Sequence, residues 1–198
     1  MARLLGSGGE FQEGIIAATR AIETLEATES NDFNDLLETA YSARAVMNDA
    51  AGKHKAAVAD WDAILALSQQ PHYALRRGVS LARMGDYEGA MATLEGVLTL
   101  HEEAPDPMLL FNAACVISRA IEAVEDVHDL TDEQRKSFVD AAEERGATII
   151  ERLLSQTDGE RELWLQQTLQ DPDIHRLSKS KRVKALIGPT APPDPEAE

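Results

Sequence analysis

The feature that most constrains this chain is that it repeats. Residues 77–100 (RGVSLARMGDYEGAMATLEGVLTL) lie over residues 44–67 (RAVMNDAAGKHKAAVADWDAILAL) at a constant offset of 33 residues. Gly78 falls on Ala45, Gly85 on Gly52, Ala90 on Ala57, Leu94 on Trp61, Val97 on Ile64 and Leu100 on Leu67. Self-similarity at a period of roughly 20–50 residues marks an array of supersecondary units, none of which buries its apolar face without a neighbour. The unit here is a helix pair. Ala45 and Gly78 are small where one helix must approach another. Gly52 and Gly85 stand where the first helix ends, a place that favours positive φ. Asp86 follows as an N-cap for the second helix. Ala57 with Trp61, and Ala90 with Leu94, are four residues apart and share one helix face.

The same frame extends in both directions. GEFQEG at 9–14 resembles GDYEGA at 85–90 and is followed by Ala18, Ala21 and Ile22 on the inner face, while Ala2 and Leu5 fall where Gly78 and Leu81 fall. The chain therefore starts inside the first helix of a unit, which predicts a piece of a longer polypeptide. Gly9 to Gly52 is a step of 43 residues, so the link near ATESNDF is longer than the others, and Asn31 and Asp32 offer caps for a helix through Ala50. Asp106 caps a fourth unit with Pro107 in its first turn, and Phe111, Ala114, Ile117 and Ile121 mark its apolar side. No turn glycine follows. An acidic connection leads to Thr131 and Gln134, spaced as a capping box for a helix to about Leu154. GERELWLQQTL predicts one more helix, Pro172 a turn, and a short basic helix runs to Ile187. The expected organisation is one all-α domain over 1–187, with a partial unit at 1–28, units at 32–68, 71–102 and 106–156, and a cap at 158–187. The tail 188–198, with four prolines and three acids, predicts disorder.

Composition agrees with packed helices. Aromatics are 5% of the chain, alanine recurs, and no segment alternates with period 2, so no sheet is expected. No stretch reads as the roughly 18 apolar residues of a membrane span, and the N-terminus lacks the apolar core of a signal peptide. A single cysteine, Cys115, makes no internal disulfide, and a cytoplasmic protein is expected. The net charge of −16 argues against nucleic acid as a partner. Five of the 19 basic residues cluster in RLSKSKRVK at 176–184, which reads as a solvated helix face offsetting the acidic body.

The glycines, alanines and large residues over 2–100 resemble tetratricopeptide (TPR) repeats, whose period is about 34 residues. This resemblance implies a right-handed superhelix of antiparallel helix pairs closed by a C-terminal capping helix. The pattern departs from the family at Asn48, where the next unit has Leu81, at His54 opposite Tyr87, and at Arg44 and Arg77, where leucine is preferred. FNAACVISRA, an insert, a helix and then LQDPDIHRLSKSKRVKALI are similar to the TPR tail of large bacterial multidomain proteins, many of which carry a serine/threonine protein kinase domain. Asp171, Pro172, Asp173 and Leu177 match the element that ends such tails.

No catalytic constellation is expected in this chain. GSGGEF at 6–11 lacks the strand lysine of a kinase loop, and HDLTDEQ at 128–134 lacks the arginine, asparagine and Asp-Phe-Gly that phosphoryl transfer needs. The five histidines and one cysteine show no metal-ligand spacing, and neither metal nor cofactor is expected. In a TPR array the first helix of each pair lines a concave surface. The resemblance places there Ser42, Val46 and Asp49, then Leu75, Val79, Ala82 and Arg83, then Phe111, Cys115, Ser118 and Arg119. Arg83 and Arg119 are the polar anchors for a partner's carboxylate or carbonyl, unless they pair internally with acids such as Glu88 or Glu122. Leu75 and Val79 stand where the chaperone-type carboxylate clamp needs Lys and Asn, so that specialisation is excluded. The resemblance thus implies a non-enzymatic scaffold that holds a protein or peptide segment, or alternatively the regulatory C-terminal TPR segment of a bacterial kinase. Oligomeric state is not encoded in these features.

Overall fold

Every described element of the computed structural model is helical, and no strand occurs among the described residues 8–28, 31–103, 105–157 and 170–187. The order is α1 (Gly8–Glu26), a 3-10 turn (Asn31–Phe33), α2 (Asn34–Ala50), α3 (His54–Leu67), α4 (Pro71–Arg83), α5 (Tyr87–Leu100), α6 (Pro107–Glu125), α7 (Asp132–Gln156), a second 3-10 turn (Pro172–Ile174), α8 (His175–Ser178) and α9 (Lys181–Ile187). The expectations placed on residues 2–5, on a helix over 159–169 and on the tail 188–198 lie outside the described residues.

The repeat frame sets the turns. Gly52 has φ of 73° and Gly85 of 93°, in the left-handed region where a side chain is strained. The Asp86 carboxylate accepts the Gly89 N–H at 2.9 Å, the Asp106 carboxylate accepts the Leu109 N–H at 2.9 Å, and Thr131 with Gln134 forms the expected capping box. Gly78 lies where a Cβ would come within 3.2 Å of Val116, so its small size admits α6 close to α4. Where the fourth unit lacks a turn glycine, Arg135 takes over. Its guanidinium donates to the carbonyls of Val124, Glu125 and Val127, satisfying the end of α6 from the start of α7.

Three expectations change. Asn31 and Asp32 lie in the 3-10 turn, and Phe33 occupies the N-cap of α2 without a side-chain cap bond. Gly9 falls inside α1 and not in a turn, and Ala21 is exposed beside buried Ala18 and Ile22. Finally, α6 is long and apolar enough, at a mean hydropathy of 1.4, to cross a membrane by composition alone. It is apolar around its circumference because it is the core helix, contacted by α4, α5, α7 and α8.

Consecutive helices pack on one another from α1 to α7, and α4 also packs directly on α6. Two cores result. The smaller holds Ala45, Ala57, Trp61 and Ile64 with Tyr41 and Tyr73 against it. The larger runs from α4 through α7 and includes Ile174, Leu177 and Val183 of the C-terminal segment. Trp61 is 2% exposed and donates its indole N–H to the Ser80 hydroxyl at 3.1 Å.

Candidate functional site

The residues expected to line one open face divide into two groups. Val46 on α2 is exposed, and Ser42 and Asp49 beside it are half-buried. Leu75, Val79, Ala82, Phe111, Cys115 and Ser118 are buried, with Leu75 at 0% exposure. They do not form an accessible groove. They are core, because α6 is wrapped on several sides and because residues 171–177 lie against it.

That segment is fixed by side chains from three helices. The Asp173 carboxylate accepts Arg83 Nη2 from α4 at 2.5 Å and Arg119 Nε from α6 at 2.7 Å. Arg119 also donates to the Pro172 carbonyl at 2.9 Å and pairs with Glu122 at 2.5 Å. The Leu177 N–H donates to the Ser118 hydroxyl at 3.2 Å. The Leu177 side chain fills a notch over α7 at Gly146, where a Cβ would come within 2.7 Å of both its methyl carbons. Arg176 reaches Glu125 at 2.8 Å and Glu143 at 3.1 Å, and Ser180 donates to Glu143 at 3.0 Å. Part of the basic run is therefore a strap onto acidic helices, while Lys179, Lys181 and Lys184 are exposed.

Both anchor arginines are engaged within the chain. Arg119 pairs with Glu122 as one expectation allowed, but Arg83 turns to Asp173 and Asp49 and not to Glu88. Asp49 is the hub on the α2 side: it accepts the Ser80 hydroxyl at 2.5 Å, meets His54 Nδ1 at 2.9 Å and lies 3.4 Å from Arg83. A line of alternating charge, Asp49–Arg83–Asp173–Arg119–Glu122, thus crosses from α2 to α6 through the C-terminal segment. Burial alone would raise the Asp173 carboxyl, but the charges of Arg83 and Arg119 outweigh it and hold the group below the ordinary carboxylate range. Burial opposes the charge of Arg119 too, yet Asp173 and Glu122 raise its pKa.

Beside the clasp the surface stays concave. A depression of about 680 Å³ is bounded by Asp49, His54, Arg83, Arg119, Asp126 and Pro172. Its lining brings the hydrogen-bonded Asp49–His54 pair and the acids Glu122 and Asp126 beside the guanidinium groups of Arg83 and Arg119. Burial, with Asp171 and Asp173 nearby, pushes the Cys115 thiol well above its usual range, the opposite of a nucleophile's requirement. Among the described residues no three His, Cys, Asp or Glu side chains gather to hold a metal ion.

A second polar cluster was not anticipated. Asp60 is buried and accepts Arg44 Nε and Nη2 at 3.1 and 2.6 Å and the Asn48 amide at 3.1 Å. The signal was present in the repeat, since Asn48 opposes Leu81 and Asp60 opposes Thr93. Two polar departures in contacting helices point to each other.

No family model matches the chain, and no curated protein or solved structure does.

Proposed function

We propose that this chain is a non-enzymatic, TPR-like solenoid of helix pairs that holds a protein or peptide segment on the face shared by α2, α4 and α6. The observation that carries the reading is that this side of the molecule already holds a polypeptide segment, its own residues 171–177, by ligand-like contacts. Two arginines grip a carboxylate, a hydroxyl accepts a backbone N–H, and a glycine notch receives a leucine. The 33-residue repeat, the positive-φ glycines and the packing of α4 on both α5 and α6 support a TPR-like stack. A partner segment would enter by the depression next to Pro172, which reaches Asp49 on α2, and Val46 is an exposed apolar side chain three residues before Asp49 on that helix. The protein would do so in the cytoplasm and without a cofactor.

The test uses a partner captured from source-cell lysate, with affinity measured for Val46→Glu and for Leu100→Glu, an exposed control on α5. Val46→Glu should weaken binding at least about 10-fold, the equivalent of 1.4 kcal/mol, and Leu100→Glu should not. Equal affinities in both, with helicity and melting temperature intact, would remove the face. Engagement of Asp171, Pro172, Asp173 and Leu177 in closing the domain also favours a second reading, the regulatory C-terminal TPR segment of a bacterial serine/threonine kinase. The coding sequence before Met1 separates the two, since a kinase would show its lysine, catalytic aspartate and metal-binding aspartate there.

A further inference from the structure

We infer that the site formed by α4, α6 and α7 recognises a short helical segment with an acidic residue followed by a branched apolar residue at the next position and leucine at the fourth. Asp173, Ile174 and Leu177 are the resident copy of that pattern, which an external partner segment of the same chemistry must displace. The inference rests on the proposed binding role and specifies its partner.

Three observations carry it. The first is the chemistry of the contact. Arg83 and Arg119 come from different helices and converge on one carboxylate whose side chain is 9% exposed, while the flanking carbonyl of Pro172 and N–H of Leu177 are each met by a side chain. Apolar anchors three residues apart, as Ile174 and Leu177 are, are how grooves read short helices, and the charge on Asp173 adds to them. Ile174 and Leu177 are both fully buried, and Gly146 removes the one side chain that would block the leucine.

The second is that the resident has little order of its own. It consists of a 3-10 turn of three residues, α8 of four and α9 of seven. Helices this short are marginal in water, so their structure comes from docking, and such elements open before the core does. The third is that the site does not end with its occupant. The 680 Å³ depression continues from Pro172 past Arg83 to Asp49 and His54, giving a longer partner additional surface that the resident leaves uncovered. A basic or mixed extension suits it, since the lining carries Asp49, Glu122 and Asp126 beside Arg83 and Arg119, and both arginines already meet carboxylates of the chain.

A tethered resident competes at millimolar effective concentration, so the intact chain should bind an external copy weakly and a chain with a disarmed resident should bind it well. The experiment uses the full chain, its Asp173→Ala/Leu177→Ala variant, and a fluorescein-labelled synthetic peptide of residues 170–187 read by polarisation. The variant should bind the peptide at least about 10-fold more tightly than the unaltered chain. A peptide with Asn for the aspartate and Ala for the leucine should lose at least about 10-fold of that affinity, because it lacks the charge for both arginines and the group that fills the notch. A folded variant that does not bind saturably, or binds no better than the unaltered chain, overturns the inference. If the variant loses its helical circular dichroism, hydrogen exchange on the unaltered chain decides. The Leu177 amide should exchange at least about 10-fold faster than amides in the middle of α6, and equal rates would show that the segment opens only with the whole fold and overturn the inference. A dimer of the unaltered chain that is lost in the variant would make a second copy the occupant, and also overturns it. The proposed binding role fails separately, through an unchanged partner affinity in Val46→Glu.

Discussion

Replacing Trp61 tests how the two repeated helix pairs are fastened together. Its ring packs with Ala45, Ala57 and Ile64, lies 6.0 Å from the Tyr73 ring, and hands its indole N–H to Ser80 on α4. The Ser80 hydroxyl in turn donates a hydrogen bond to the Asp49 carboxylate on α2, so one hydrogen-bonded line joins α3, α4 and α2. Truncation to alanine removes both ring and donor and should cost about 3–5 kcal/mol, as for other buried large aromatics. Trp61→Phe keeps much of the apolar volume and deletes the donor. Ser80 retains Asp49 as its acceptor, so only a lone pair loses its partner, and the cost should be about 1–2 kcal/mol. Ser80→Ala harms the opposite side, leaving the buried indole N–H and one Asp49 oxygen without the hydroxyl, at about 1–3 kcal/mol. Because both substitutions strike one bond, Trp61→Phe/Ser80→Ala should cost less than the two added together, by about 1 kcal/mol. Urea unfolding followed by far-ultraviolet circular dichroism measures all four, provided the slope with denaturant is unchanged. An additive double variant, or Trp61→Phe as damaging as Trp61→Ala, would refute the hydrogen bond as a fastener and leave ring volume alone.

Gly85→Ala should destabilise by about 1–2 kcal/mol in the same assay. Its Cβ would meet open space, so the φ of 93° is the whole cause, and an unchanged midpoint would refute this. Asp173→Asn should lower the melting temperature near neutral pH. The folded carboxyl of Asp173 lies below its ordinary pKa, so its stabilisation is fully present above about pH 4 and lost as pH falls through the depressed value. The gap in melting temperature between the two proteins should therefore be steady at neutral pH and shrink in acid, and a gap that widens on acidification would contradict the clasp. Cys115 should resist iodoacetamide at pH 8 in the folded protein and react in urea, as its thiol is buried and its pKa raised. Fast alkylation of the folded protein would count against its placement in the core.

Features decided within a few residues were legible in the sequence. Gly52 and Gly85 reveal their turns because only glycine is comfortable there, and Asp86, Asp106 and the Thr131–Gln134 pair act on N–H groups three residues away. Trp61 is readable as core through Leu94, its counterpart in the next unit. The candidate face was not. Its outcome depends on contacts between residues 50 to 90 positions apart, such as Leu177 with Ser118 and Asp173 with Arg83, and no local pattern in either partner encodes the pairing. Periodicity could place Phe111 and Cys115 on α6, but a helix apolar on all sides has no outward stripe for periodicity to find. Arg83 and Arg119 illustrate the same limit: their position on the face was readable, and the aspartate that takes them was not.

The polar cluster at Asp60 bears on a hazard peculiar to repeated sequences. Two units that align at 33 residues present nearly interchangeable surfaces, so α2 has two candidate partners, α3 and α5. In the native pairing Asn48 and Arg44 meet the Asp60 carboxylate. Docked on α5 in the same register, they would meet Thr93, which stands at Asp60's position. An amide would then lie buried with its acceptor gone and a guanidinium beside it without a counterion, at a cost on the order of a few kcal/mol. The departure of Asn48 from the leucine that the repeat pattern favours thus acts as an address: it tells the first helix pair from the second while the chain is folding, and rejects the exchange of look-alike helices that uniform leucine cores would permit.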